Sequence, residues 1–545
     1  MAVVLVGAIL RVAAYLAARS LWLDEAMLAN NILGRSFAAL LGPLGESQNA
    51  PWLFLFGERA AAVTLGPTEL ALRLIPLVAG VAVPWMVWLA ARRLAQEPTA
   101  LVATAIAALS PLLLYYSNEV KPYATDALLT AAFVAATLRA IDRAEERGPW
   151  IVLTVLGVVG LLASFPVMFV LGAVWCALIA SPAVRASMNG RRMLVMGPVV
   201  WAVTFAFPYF FVIRRAASDA FLMTSLQHQF LVPWKASALP SLWRFWQEVT
   251  IEVFLGREAV TPVPQVAIAV MCALVFALCV TGISEIKRRR GAAGLILILG
   301  PIVLALAAST VRAYPLSVRV WTFSTPLWAL LVAAGVTSVA RRLRPAAEMP
   351  LSAVLTMGLL LAAVLDAQLC LTNPTLKRSH IRPMIRSLQE AQRSTGDAIY
   401  VMPRATPQWL FYTTAWDTAP APVPRDSASQ WIEQRTCEPK GGKPATGCQM
   451  LGGHSSVTFA EVSGFSGQAD TVWANHEARR LRAAAHPCAW LLMHLPYPGE
   501  TPALARAVEV AGGRVDDGLD HPQHPTRDGA TKAFRICFAD NRSVE

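Results

Sequence analysis

Charge is what this 545-residue sequence has least of: Asp, Glu, Lys and Arg make up 15% of it, where soluble domains carry about 25%. That scarcity excludes a disordered chain, a coiled coil and a soluble nucleic-acid binder. Cysteine is scarce as well, with eight in the whole chain, which excludes a small disulfide scaffold. No G-x-G-x-x-G follows a strand-like run, and neither a P-loop nor a G-x-S-x-G is present. The dinucleotide fold, the P-loop NTPases and the α/β-hydrolases therefore have no signature here. His380, His454, His476, His486, His494, His521 and His524 are scattered without metal-ligand spacing and read as surface or structural residues.

What remains is apolar: 55% of residues are hydrophobic and the mean hydropathy is +0.48. The charge is unevenly shared. Residues 1–370 hold 28 basic and 18 acidic residues, whereas 371–545 hold 19 and 17. This predicts a membrane-embedded body over 1–371 and one soluble domain over 372–545. A transmembrane helix needs about 20 mostly apolar residues. Such runs lie near 1–18, 70–91, 99–116, 123–141, 193–213, 263–283, 292–310, 318–340 and 350–371. The run 150–180 is too long for one span and carries Ser164 and Pro166 near its middle, so it reads as two short helices. The expectation is about eleven transmembrane helices.

Basic residues in short loops give the orientation. Arg92-Arg93, then Arg139, Arg143 and Arg147, then Arg185, Arg191 and Arg192, then Lys287–Arg290, then Arg341, Arg342 and Arg344 all fall on one side if 150–180 is a hairpin. Those loops face the cytoplasm, so the net charge of +12 reads as a topology signal rather than a nucleic-acid surface. The outer face then receives 21–69, 117–122, 214–262, 311–317 and the C-terminal domain. Met1 starts almost inside the first apolar run, with no basic residues before it. Either the later loops orient the first span, or the chain begins upstream; a cleaved signal peptide is not expected.

Cys176, Cys272, Cys279 and Cys370 lie in or at the ends of apolar runs and read as small hydrophobic residues. Cys437, Cys448, Cys488 and Cys537 lie in the C-terminal domain, where an oxidising compartment permits disulfides; Cys437–Cys448 and Cys488–Cys537 are the expected pairs. Helix-like runs at His380–Arg393, Pro407–Ala415, Asp470–Ala485 and Pro502–Ala511 alternate with strand-like runs at Asp397–Met402, Ala489–Leu495 and Ala533–Phe538. That alternation predicts an open α/β sheet in an accessory or acceptor-recognition domain.

Three outer segments carry the chemistry. The first, Ser20-Leu-Trp-Leu-Asp24-Glu25-Ala-Met, sets two adjacent carboxylates at a membrane boundary with no obvious basic neighbour in sequence. A partly desolvated carboxylate can accept a proton from a hydroxyl; the plainer reading is an acidic cap on a juxtamembrane helix. The second, Ser110 to Tyr123, contains Tyr115, Tyr116, Asn118, Glu119 and Lys121 and reads either as a site or as a snorkelling Lys121–Glu119 pair in a tyrosine belt. Asp126 lies about one turn further on. The third contains Tyr314 between Arg312 and Arg319, two cations against the positive-inside trend, suited to phosphate or to a lipid headgroup or carboxylate. Between these segments, Leu242, Trp243, Phe245, Trp246, Val249 and Phe254 fall mainly on one face of an interfacial or packed helix.

In this order the segments resemble the GT-C superfamily of integral-membrane glycosyltransferases, in the branch of protein O-mannosyltransferase-like and lipid A aminoarabinose transferase-like enzymes. The resemblance starts at Arg11 and Leu-Trp-Leu-Asp24-Glu25-Ala. It runs through Asn49-Ala-Pro51-Trp, Leu65-Gly66 to Glu69, Arg73 and Pro76, and Leu109-Ser-Pro111 to Tyr123, and it ends at Tyr314-Pro-Leu-Ser-Val-Arg319. It implies a multi-pass protein of the bacterial inner membrane with a periplasmic α/β domain. The implied activity is inverting transfer from a polyprenyl-phosphate sugar to a lipid, glycan or protein acceptor on the periplasmic face. By motif, Asp24 is the general base; Glu25 and Glu119 shape the cavity or bind sugar or acceptor; Lys121 and Arg319 hold the phosphate; Tyr123 and Arg312 are further substrate-binding candidates. Asn49-Ala50-Pro51 departs from the His-Pro-Pro or Glu-Lys-Pro of many relatives. A phosphate-contacting lysine of the aminoarabinose branch therefore has no counterpart. No cofactor is implied; some GT-C enzymes need a divalent metal, this branch generally does not, and no cluster beyond Asp24/Glu25 suggests one. The partners implied are the lipid-linked donor, the acceptor and membrane lipids, without nucleic acid. The alternatives are a transporter or flippase of lipid-linked sugars and an inactive relative whose soluble domain binds envelope components. A transporter should show polar groups near the bilayer midplane, whereas these clusters sit on one face.

Overall fold

The computed structural model describes residues 2–219, 223–224, 226–372, 381–414, 416, 457–459, 471–484, 487–494, 500–519 and 531–538. The chain divides into two units. The first comprises Met1–Ala17, Phe37–Pro43 and Asn49–Thr372; the second comprises Ala18–Ser36, Leu44–Gln48 and Asn373–Glu545. The acidic segment around Asp24 thus groups with the C-terminal unit, although the sequence boundary at 371 sets it in the membrane part.

The first unit is helical. Among the described residues, six helices are long and apolar enough to cross a membrane: Leu74–Leu94, Tyr123–Asp142, Met188–Ser218, Gln265–Thr310, Thr322–Leu343 and Pro345–Leu369. Ala2–Leu16, Glu97–Leu109, Arg147–Ala163 and Val167–Ala180 are shorter apolar helices. The 150–180 run is broken between Ala163 and Val167, where Pro166 cannot continue the helical hydrogen bonding. Gln265–Thr310 has 46 residues; at 1.5 Å per residue a straight helix of that size would measure about 70 Å against a core of about 30 Å. It is broken at Gly291, whose φ of 63° lies in the left-handed region that glycine adopts without strain.

Packing in this unit depends on small residues. A Cβ at Gly282 would lie 2.0 Å from the Leu331 carbonyl oxygen, and one at Gly335 would lie 2.0 Å from that of Leu278. The two backbones therefore touch at reciprocal glycines, as membrane helices do where apolar burial alone gives no drive. One turn beyond Gly282, the buried Glu285 carboxylate takes Arg288 and Arg341 at 2.8 Å each, and also Arg289. Part of the basic-loop charge is thus spent on joining helices.

Within 214–262 a helix at Ala238–Thr250 continues as a π-helical turn, Ile251–Leu255. Phe245, Val249 and Phe254 are buried, with the Phe245 and Trp321 rings 4.8 Å apart. Trp243 does not share this face, and is 45% exposed. Two helical steps turn it about 200° away from Phe245.

The second unit contains a five-stranded sheet: β1 (Ala398–Val401), β2 (Val457–Phe459), β3 (Cys488–His494), β4 (Gly513–Leu519) and β5 (Thr531–Phe538). Its order is β2-β1-β3-β5-β4, with β2-β1-β3 parallel and β3-β5-β4 antiparallel. Successive strand residues face opposite sides. Ile399, Val401, Trp490 and Leu492 pack with Ile381, Met384 and Leu388 of the Ile381–Thr395 helix, and with Trp409 and Leu410 of the Thr406–Thr413 helix. Tyr400, Leu491, Met493 and Ile536 pack on the other side with Trp473 and Leu481 of Thr471–Ala484 and Leu504 and Val508 of Glu500–Val510. The sheet is thus covered by helices on both faces. Cys488 and Cys537 are directly opposed in the β3–β5 register and form a disulfide; Cys437 and Cys448 lie outside the described residues.

Candidate active site

The acidic segment starts a helix. Asp24 and Glu25 occupy the first turn of Leu23–Leu33, where the partial positive charge of the helix N-terminus favours carboxylates. The structure separates the pair. Glu25 is fully buried, its Oε2 accepts the Trp22 N–H at 2.9 Å, and Arg19 Nη2 lies 3.7 Å away. Arg19 corrects the reading that the two carboxylates lack a basic neighbour: Ala18, at φ 42°, turns the chain so that Arg19 meets the helix start. Asp24 is only half-buried, so it is the carboxylate of the pair that keeps an accessible surface.

The rest of this turn is held by residues nearly four hundred positions away. The Leu21 N–H donates to Tyr412 Oη at 2.7 Å. The Gln408 amide, with its oxygen turned toward donors, accepts from Leu23 N at 3.2 Å and from His494 Nε2 at 3.1 Å, while its nitrogen donates to the Arg404 carbonyl at 3.0 Å. His494 Nδ1 lies 2.8 Å from Thr531 Oγ1, and the His494 ring stands edge-on to Trp22 at 5.9 Å. Arg382 donates from its backbone N–H to Ser20 Oγ at 3.3 Å and from Nη2 to the Ala18 carbonyl at 3.1 Å; Asn30 Nδ2 donates to the Pro407 carbonyl at 3.0 Å. Gln408, Tyr412, Arg382 and His494 were not among the sequence candidates. The one available signal was Gln408 and Tyr412 at i, i+4 in an apolar helix, which put two polar groups on one face.

The other candidates lie in the first unit. Glu119 and Lys121 are both buried in the turn between Pro111–Tyr116 and Tyr123–Asp142, where the Lys121 N–H reaches the Glu119 carbonyl at 2.6 Å. Tyr123 begins the second of these helices, with its ring 4.8 Å from Tyr116, which in turn lies 5.0 Å from Tyr115. The turn is anchored from below. Arg11, fully buried, donates to Ser117 Oγ at 3.1 Å and to the carbonyls of Gly7, Ala108 and Ala107 at 2.9, 2.8 and 3.0 Å. Ser117 also donates to the Leu113 carbonyl and lies so close to Gly80 that a Cβ there would fall 2.0 Å from its Oγ.

Arg312 and Arg319 are exposed, and Arg312 has a left-handed φ of 59°. Between them Tyr314 donates to the Val320 carbonyl, and Trp321 Nε1 donates to that of Pro315 at 2.9 Å. Burial pushes the Tyr314 phenol well above its ordinary pKa, with the charges of Asp126 and then Tyr123 adding to the rise. Asp126 is buried, and its Oδ1 has no hydrogen-bond partner among the described residues. The first unit therefore brings Glu119, Lys121 and Tyr123 into one turn with Tyr314 nearby, and leaves Arg312 and Arg319 on the surface. Among the described residues no group of three or more His, Cys, Asp or Glu is placed to hold a metal ion.

Residues 49–211 match the family model described as dolichyl-phosphate-mannose-protein mannosyltransferase. No curated protein matches the chain by sequence. Among solved structures, the chain is similar to ArnT from Cupriavidus metallidurans, solved bound to undecaprenyl phosphate, with 13% identity over 98% of this chain and 97% of that one and a TM-score of 0.50. It is also similar to the archaeal oligosaccharyltransferase AglB from Archaeoglobus fulgidus, in complex with an inhibitory peptide and a dolichol-phosphate, with 11% identity over 100% of this chain and 74% of that one and a TM-score of 0.50. Against the Archaeoglobus fulgidus oligosaccharyltransferase solved with zinc and sulfate, identity is 13% and the TM-score 0.47; 75% of this chain is covered, but only 61% of that one.

Proposed function

We infer from the family-model match over residues 49–211 and the likeness of the fold to ArnT that this is a GT-C glycosyltransferase, which transfers a glycosyl group from a polyprenyl-phosphate-linked sugar to a hydroxyl of a cell-envelope acceptor. Asp24 takes the proton of the acceptor hydroxyl. The freed oxygen pair attacks the anomeric carbon, the bond from that carbon to the phosphate oxygen breaks, and polyprenyl phosphate leaves with the electrons, inverting the centre. Negative charge grows on the phosphate as that bond breaks, so fixed cations are worth most there; Lys121, with Arg312 and Arg319, fills that role. Glu119 and Tyr123 order sugar or acceptor hydroxyls. The reading extends to about eleven spans, with the second unit on the periplasmic side of a bacterial inner membrane.

The observation that carries it is the division of labour between neighbouring carboxylates. Glu25 is consumed in capping its own helix, while Asp24, in the same turn, remains partly exposed. A general base needs a carboxylate within reach of the substrate proton, and only Asp24 of the pair has one. The test uses membranes carrying the full chain, a labelled polyprenyl-phosphate sugar and envelope acceptors. Asp24→Asn should abolish transfer while donor binding persists. Undiminished transfer would overturn the base assignment, and donor translocation without transfer would replace the enzyme by a flippase.

A further inference from the structure

We propose that Gln408 and Tyr412 are positioning residues for the acidic turn, so that the C-terminal unit serves as the mount of the catalytic carboxylate; this deepens, and rests on, the assignment of Asp24 as base. A helix leaves its first N–H groups without internal partners, and a side chain of the residue before the helix ordinarily takes one of them. Here that residue is Trp22, which has no oxygen to offer. The partners are borrowed instead. Tyr412 Oη takes the Leu21 N–H, the Glu25 carboxylate takes the Trp22 N–H, and the Gln408 oxygen takes the Leu23 N–H. Three consecutive amides leading into Asp24 are thus fixed, two of them by one face of the Thr406–Thr413 helix.

The mount is itself braced. Gln408 is fully buried. Its oxygen also receives the His494 Nε2 proton, which sets His494 as the tautomer whose Nδ1 accepts from Thr531 Oγ1, and its nitrogen is used by the Arg404 carbonyl. The amide cannot rotate without breaking three hydrogen bonds. A chain of contacts therefore runs from β5 through the end of β3 and Gln408 to the backbone beside Asp24. A misplacement of about 1 Å at a reacting group can cost about a hundredfold in rate, which is reason enough to hold a two-carboxylate turn at its backbone.

The test uses the full-length protein in detergent, with two readouts. Gln408→Met keeps the side-chain length and removes both hydrogen-bonding atoms; Tyr412→Phe removes one hydroxyl. Neither substitution touches Asp24 or Glu25, and both act on the backbone of the turn that positions the acceptor's base. Gln408→Met should therefore lower kcat per folded molecule about tenfold, with the donor KM changed less than about twofold, and should speed hydrogen exchange of the 20–26 peptide about tenfold. Tyr412→Phe should move both readouts the same way by a smaller factor, and it decides the matter if Gln408→Met fails to fold. Unchanged exchange in a folded variant overturns the mount. Faster exchange with unchanged kcat overturns its role in transfer. If Asp24→Asn transfers normally, the base assignment fails, and the exchange readout alone still decides whether the mount exists.

Discussion

Arg11 puts a cation in the middle of the first apolar run, and its surroundings show why it survives there. Its three nitrogens are matched to Ser117 Oγ and to the carbonyls of Gly7, Ala107 and Ala108, two of which end the Glu97–Leu109 helix and have no partner of their own kind. Arg11→Ala strips those acceptors of their donor and leaves Ser117, the residue just before Asn118 and Glu119, held only by its bond to the Leu113 carbonyl. A loss of about 3 kcal/mol is expected, read as a lower thermal unfolding midpoint in detergent. Arg11→Lys should recover less than half of it, because one ammonium cannot reach the carbonyls and the hydroxyl as the planar fork does. Glu25 makes a contrasting case. Glu25→Gln keeps an oxygen for the Trp22 N–H, so it should cost about 1 kcal/mol and leave most transfer intact. Asp24→Asn should remove a hundredfold or more, in the range of about 10²–10⁴ for general bases. Equal losses from the two would mean that the adjacent carboxylates share one role.

At the scale of elements, the contact between Gln265–Thr310 and Thr325–Leu343 is the sharpest test of packing. Gly335→Leu would drive a side chain into the Leu278 carbonyl, and neither helix can retreat while Glu285 holds Arg341. About 3 kcal/mol of destabilisation is expected, seen as aggregation on size-exclusion chromatography and a depressed midpoint, whereas Gly358→Leu, with nothing near its Cβ, should behave as wild type. Much of this architecture was legible because hydrophobic runs and proline act locally. Pro166 marks the break between two helices, and the strand-like runs at 489–495 and 533–538 lie where β3 and β5 form. β4 was not, because Gly513, Asp516, Asp517 and Gly518 give its sequence, GRVDDGL, the composition of a loop; pairing with β5 overrides that preference. Trp243 is the exception to the apolar face that Phe245, Val249 and Phe254 share, because the helical angle turns it away. The site divides along the same line. Asp24, Glu119 and Lys121 stand out as charges beside apolar runs, whereas Gln408 and Tyr412 act only through a contact spanning some 390 positions, which no local period encodes.

For the whole molecule, the division into units makes the C-terminal part more than an appendage. Ala18–Ser36 and Leu44–Gln48 belong with residues beyond 372, and the turn at 18–23 hydrogen-bonds with Arg382, Gln408 and Tyr412. A chain ending at Thr372 keeps every apolar helix of the first unit, so it should insert in the membrane. It loses each of those partners at once. A helix of 11 residues is marginal in water without tertiary support. Limited proteolysis should therefore cut the truncated chain within 18–36, at a site resistant in the full chain, and transfer should fall below detection while photo-crosslinking to a polyprenyl-phosphate probe continues. An accessory recognition domain predicts the opposite pattern, a protected 18–36 segment and transfer to simple acceptors that survives truncation. The two outcomes separate a domain that chooses the acceptor from one without which the reacting carboxylate has no fixed position.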